Sequence, residues 1–361
     1  TLMIEISQQE SFDFLSEDYA ELFARSDATA FQHPIWLDRL HKVLVPARGA
    51  EAVTLLGRYR GRLVLAMPLI RRRFGPLSLY DAADLGVSDY NAPIIDRTLL
   101  AALERDEALR NQLRHALPRW ALTRIRKVRP EQIALVNSLG ASRATFMELN
   151  AHEVALSAPF DEWRSRTLDP AFSHFLDKKR RLLAKKGEIT LTALQDPAEM
   201  EAALTTMVAF RAKRWPNDAL KDPANFAFYL DVARAGQACG FSCMYRMDAI
   251  GAPGAVMFGL RHRGRFLFVL LAFDFERLRN YSIGLVFIES VIEQCIARGD
   301  SVFDLTVGDE AYKDKFATHA VPMQACWAGP TPMPALCDLA FARFLKLRAR
   351  LQPPQRPVTA S

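Results

Sequence analysis

The strand-like run FDLTV (303–307) is followed at once by GDEAYK, which crowds Gly308, Asp309, Glu310, Tyr312 and Lys313 together. Two carboxylates, a phenol and an amine supply proton acceptors, a donor whose ordinary pKa is about 10, and a cation. Strands that only hold a core usually end in a bland polar turn, so this ending asks for a chemical reason. A second stretch, NYSIG (280–284), stands between a buried strand and a helix. The first N–H groups of a helix lack internal partners and carry the positive end of its dipole, so they attract anions. Gly284 permits close approach of a phosphate, Ser282 can cap the helix or offer its hydroxyl, and Arg279 and Arg277 bring charge. The same Ser-x-Gly pattern also serves as a plain helix cap.

Elements must place these groups, and the chain is long enough for two cores: 361 residues, half of them apolar. No run reaches the roughly 18 apolar residues that span a bilayer, and TLMIEISQQESF lacks the features of a signal peptide. The expected compartment is the cytoplasm. Five cysteines without a CxxC pair read as free buried thiols, and no His lies close enough to Cys239 and Cys243 to suggest a zinc site. Lys and Arg exceed Asp and Glu by 47 to 41, and the excess is clustered. DKKRRLLAKK (177–186) carries six cations beside one acid, with RRR at 71–73. Such blocks attract the phosphates of nucleic acid, nucleotides or coenzymes, or form a solvated helix face.

The first part reads as mixed α/β. Helices are expected over SFDFLSEDYAELFARS and TAFQHPIWLDRLHKVL, a hairpin over 52–60 and 62–72 about Gly61, helices near 98–117 and 130–138, and a strand over 144–150. After Pro159 and Pro170 an amphipathic basic helix runs to Gly187, followed by a strand and two helices. FSCMYRMD, AVMFGLRH and RFLFVLLAF then form a meander, LVFIESVIEQCIARG a helix, and SVFDLTV the returning strand. In that helix Leu285, Ile288, Ile292 and Cys295 form one stripe, with Glu289, Glu293 and Gln294 expected to face away. The tail from Pro334 is expected to be a helix docked on the core and then a disordered end; its Arg and Lys spacing also suits a membrane surface.

RLRNYSIGLVFIESVIEQCIARGDSVFDLTVGDEAYKDKF resembles the signature region of the CelD (BcsL)-type acetyltransferase family. That family pairs a Ser-Pro-Gly-like loop with a strand ending in Asp-x-x-x-Gly-Asp-x-x-Tyr-Lys. Tyr281, Ser282, Gly284, Asp304, Gly308, Asp309, Tyr312 and Lys313 match, and Ile283 stands where the family has Pro. The basic helix with AFRAKRW, and the early FQHPIWLDRL, are similar to further segments of the family.

The resemblance implies an α/β (α+β) fold of two tandem GNAT-like domains with mixed central sheets flanked by helices, akin to the Fem aminoacyltransferases. The expected division is 1–150, 151–335 with the donor site, and 336–361 as a C-terminal helix and tail. It implies an acyltransferase taking an acyl group from acetyl-CoA or another acyl-CoA, without a metal, to an amine or hydroxyl of a small-molecule, sugar or polysaccharide-precursor acceptor. Arg279, Asn280, Tyr281, Ser282, Ile283 and Gly284 would hold the pyrophosphate, and a parting between strands 265–273 and 302–307 the pantetheine. Asp304, Asp309 and Glu310 are then candidate bases or amine-orienting groups, Tyr312 a candidate acid, and Lys313 a holder of a phosphate or carboxylate. The competing reading makes Tyr312 a packing aromatic, leaves Lys313 on the surface and satisfies Asp304 with backbone amides. A Fem-like transferase using aminoacyl-tRNA, and a catalytically degenerate scaffold in envelope synthesis, are the alternatives.

Overall fold

The computed structural model describes residues 3–74, 77–103, 105–117, 121–215 and 217–351. Two compact units emerge. The first takes the described residues up to Asn150 and those from Val321 on; the second is Ala151–Ala320. The chain from Val321, expected in a second domain running to 335, thus clusters with the first. The disordered end expected at the C-terminus lies outside the described residues.

In the first unit, β1 (Glu5–Gln9), β2 (Glu51–Tyr59), β3 (Arg62–Phe74), β4 (Leu77–Ala82), β5 (Ile94–Ile95) and β6 (Leu122–Val128) are joined by the late strand His319–Ala328, which the sequence had not suggested. The order is β1-β2-β3-β4-β6 and then the late strand, with β5 on β3; the β4–β6 pair is parallel. The hairpin at Gly61 forms as expected. Tyr59 pairs with Arg62, and Arg60 and Gly61 take φ of 50° and 79°, the left-handed turn that matches strand twist. The expected helix over 98–117 is instead two short ones, Arg97–Leu103 and Glu107–Leu113. Leu55, Leu65, Tyr80, Leu109 and Ile125 centre the core.

In the second unit the sheet runs β7-β12-β11-β10-β9-β8. It is built from the end of β7 (Arg143–Ala155), β8 (Ile189–Ala193), β9 (Ser242–Ala249), β10 (Ala252–His262), β11 (Arg265–Phe273) and β12 (Val302–Val307). The meander has the same turn chemistry: Ile250-Gly251 and Arg263-Gly264 both take positive φ. Helices α1 (Phe160–Thr167), α2 (Pro170–Ala184), α3 (Pro197–Arg214), α4 (Pro223–Gln237) and α5 (Ile283–Arg298) flank it. Three of these open on Asp-Pro. Asp169, Asp196 and Asp222 each accept a backbone N–H of the first turn, while proline at the first helical position has no N–H to leave unmet.

Trp163, Leu176, Phe266, Phe287, Val291 and Phe303 form the core of this unit. One expectation for α5 fails. Glu289 does not face away but is buried, taking Arg164 at 2.6 Å and Arg180 at 2.8 Å, because α1 and α2 pack over that side of the helix. A buried carboxylate needs paired charge of this kind. Strand β7 also runs five residues beyond the expected 150, which has consequences for the site.

Candidate functional site

Strands β11 and β12 are parallel, so their following loops leave from one edge of the sheet. Their pairing lasts only three positions, Arg265↔Val302, Phe266↔Phe303 and Leu267↔Asp304, although both strands continue. At the parting, Thr306 has φ of 54°, a costly conformation for a β-branched residue, and the register of β12 on β7 slips between Asp304 and Val307. Three bonds hold it there. Its N–H donates to Asp304 Oδ1 at 2.8 Å, its hydroxyl to the Phe268 carbonyl at 3.1 Å, and its own carbonyl accepts Lys313 Nζ at 3.2 Å.

The candidate residues divide around this point. Asp304 is fully buried and accepts Arg265 at 3.1 Å; Arg265 also binds Glu153, which meets His319 at 3.1 Å. Lys313 is 2% exposed, and its ammonium is turned inward onto the carbonyls of Thr306 and Val307 and onto Glu310 at 3.1 Å. It therefore secures the end of β12 and is turned away from solvent. Gly308 takes φ of 128°, which L side chains rarely adopt, and a Cβ there would press on the tip of the Glu310 carboxylate. Tyr312 packs against the core, and burial, reinforced by Glu310 and opposed by Arg214, pushes its phenol well up. A phenol so shifted keeps its proton and serves as a hydrogen-bond donor.

Asp309 is different. Its side chain is 45% exposed, and one oxygen is held at 3.0 Å by Nε2 of buried His152. A carboxylate can only accept, so Nε2 carries the hydrogen. Nδ1 meets the Thr318 hydroxyl at 3.2 Å, which is in turn within 3.2 Å of the Lys313 carbonyl. Both ring nitrogens are engaged, and the imidazole fixes Asp309. The sequence patterns above did not single out His152. It lies in the part of β7 beyond the expected strand end, and the Ala151↔Val307 and Glu153↔Asp304 pairings on either side of it bring it to the motif. Period-two alternation continuing past Asn150 is the one signal that would have reached it.

At the other loop, Ser282 has φ of 50° and ψ of 42° and makes no side-chain cap. Its carbonyl accepts the N–H groups of Leu285 and Val286, so the first helical amides, Ile283 and Gly284, lead the helix toward the loop. Gly284 is needed chiefly by its neighbour: a Cβ there would come within 2.9 Å of the Phe273 ring. Arg277 is committed to Asp274 and to the carbonyls of Ala249 and Pro253, whereas Arg279 is exposed. Lys179 of α2 donates to the Asn280 carbonyl at 2.7 Å, tying the basic helix to the loop. At the start of α2, a cavity of about 740 Å³ is lined by Leu168, Phe172, Phe175, Asp169, Asp314 and Lys315. Its Asp314 carboxylate stands 3.9 Å from His152 Nδ1, which links this groove to Asp309. Among the described residues no cluster of His, Cys, Asp or Glu could hold a metal.

Residues 171–314 match the family model of the acetyltransferase (GNAT) domain. The match contains the whole meander, the loop, α5, β12 and the GDEAYK motif. Among solved structures, FemX is similar over 92% of this chain and 100% of its own, with TM-score 0.60 and 9% identity. L-PGS from Bacillus licheniformis is similar over 91% and 95%, with TM-score 0.55 and 11% identity. The C-terminal domain of a putative lysylphosphatidylglycerol synthetase from Agrobacterium fabrum is similar over 86% and 96%, with TM-score 0.53 and 13% identity. No sequence match was found among curated proteins. At these identities the structural likeness is one of fold, and the fold class expected from the sequence holds.

Proposed function

We propose that the chain is a GNAT-type acyltransferase that passes an acyl group, acetyl from acetyl-CoA in the first instance, to an amine or hydroxyl acceptor. The observation that carries this reading is the parting of β11 from β12 with a histidine-held carboxylate, Asp309, at the same sheet edge as the start of α5. In the reaction, the acceptor nitrogen or oxygen bonds to the thioester carbonyl carbon and the carbon–sulfur bond breaks. Asp309 takes the proton that the acceptor sheds, and Tyr312, which keeps its phenolic proton, donates a hydrogen bond to the leaving thiolate, whose proton comes from solvent. Arg279, Asn280, Tyr281, Ser282, Ile283 and Gly284 hold the pyrophosphate, by the first amides of α5 and the Arg279 charge. Asp304, Lys313 and Glu310 build the strand end and touch no substrate. The groove beside Phe172 and Asp314 receives the acceptor. The motif matches support placement in the CelD (BcsL)-type group, with a sugar or polysaccharide precursor as acceptor.

Calorimetry with acetyl-CoA and longer acyl-CoAs tests the reading: binding with one-to-one stoichiometry is expected, and folded protein that binds none of them would sink it.

A second reading takes the acyl group from charged tRNA. The likeness to FemX favours it, as do the exposed cations Lys178, Arg181, Lys185 and Lys186 along and just after α2. Under it, tRNA binds better than an unrelated polyanion and weakens steeply with salt.

A further inference from the structure

The helix Met333–Leu351 packs through one face, where Phe341 meets the Trp327 ring at 5.8 Å and Pro334 is covered. Its other face is also apolar. Leu336, Leu339, Phe344 and Leu347 are 57, 52, 55 and 56% exposed, and Met333 is exposed as well. At 3.6 residues per turn these side chains fall within an arc of about 140°. Single exposed leucines are ordinary, but a continuous stripe of large apolar side chains marks a surface that meets something.

The charges around the stripe say what. Exposed Arg343 lies within it and exposed Lys346 borders it, while Asp338, the acidic residue of this helix, is half-buried on the packed side. The sequence adds Arg348 and Arg350 to the same helix. Cations with long apolar stems can lay those stems on hydrocarbon and keep their charge at a phosphate layer. The helix is not apolar enough to cross a membrane. An apolar stripe carrying cations and no acid is the pattern of a helix that lies in the plane of an anionic lipid surface.

We propose that the outer face of Met333–Leu351 docks this protein on an anionic bilayer, with Leu336, Leu339, Phe344 and Leu347 in the acyl boundary and Arg343 and Lys346 at the headgroups. The proposal does not depend on the acyltransferase reading.

The test is sedimentation of the full chain with vesicles of phosphatidylcholine alone and with about one third phosphatidylglycerol. Binding to the anionic vesicles, weakened at 0.5 M salt, is expected. Arg343→Ala with Lys346→Ala should cut partitioning about fivefold per cation. Leu336→Glu with Phe344→Glu should abolish it while the melting curve stays that of the parent, since both side chains are exposed. The proposal is overturned if the parent ignores anionic vesicles, or if the Leu336→Glu/Phe344→Glu protein binds them as the parent does. It is equally overturned if light scattering shows a dimer that those substitutions dissolve while vesicle binding is absent, because the face then belongs to a second copy.

Discussion

Among the described residues each unit has a short parallel strand pair of three rungs, and the two are finished differently. In the first unit Leu79↔Leu122, Tyr80↔Thr123 and Asp81↔Arg124 form the pair. Its last rung is closed: Arg124 donates to both Asp81 oxygens, at 2.7 and 3.1 Å, and lies over the Trp327 ring. The chain between those strands makes two seven-residue helices. In the second unit the last rung is Leu267↔Asp304, and the strands then separate. A sixteen-residue helix starts from the loop after β11, and a half-exposed carboxylate stands just past the end of β12. The parallel pair is therefore scaffold. The chain leaving each strand decides whether a site exists.

The sharpest way to break that comparison is to remove one carboxylate from each unit. Asp309→Asn should lower turnover by about 10²–10⁴-fold with an unchanged melting curve. Asp81→Asn should instead cost about 1–3 kcal/mol of stability, read by denaturant titration, and leave turnover per folded molecule alone. If the two effects are exchanged, the active unit has been misassigned. His152→Gln comes next. Loss of the bond that aims Asp309 should lower kcat by roughly a hundredfold while the KM for acetyl-CoA holds; a fall in donor binding instead would mean His152 shapes the donor pocket.

The smallest effect is in pH. In the first unit burial alone would raise Asp96, but the hydroxyl and N–H of Thr98 together with Arg25 and Arg62 outweigh it and hold the carboxyl below its usual range. That stabilisation is present above an unfolded pKa near 4 and is lost as pH falls through the lower folded value. In the second unit Tyr312 is raised, so the unfolded chain sheds this proton from about pH 10 while the folded one keeps it, and stability falls as pH rises from there. Stability curves should show the acid limb flattened by Asp96→Asn and the alkaline limb flattened by Tyr312→Phe.

Much of this was legible from residue order because it is local. A residue before Gly at 61, 251 and 264 turns hairpins through the positive φ of two adjacent residues, and Asp-Pro at 169, 196 and 222, a local signal that the sequence patterns above did not include, starts helices through one or two backbone bonds. The loop before Gly284 and the motif after β12 were likewise visible as strings. Their meaning was not. Asp304 and Asp309 are the same side chain five residues apart, and one is sealed against Arg265 while the other reaches solvent. Lys313 reads as a surface lysine until the strand end folds over it, and Gly284 as room for a ligand until Phe273 is seen to need that room. Local geometry is set by neighbours in the chain, so the sequence alone placed the Gly61 hairpin, the meander, the returning strand and the motif, but not the strands Glu5–Gln9, Leu77–Ala82, Leu122–Val128 and His319–Ala328. Burial and pairing are set by whatever the sheet brings alongside, and only the tertiary structure could bring His152, 157 positions away, to Asp309.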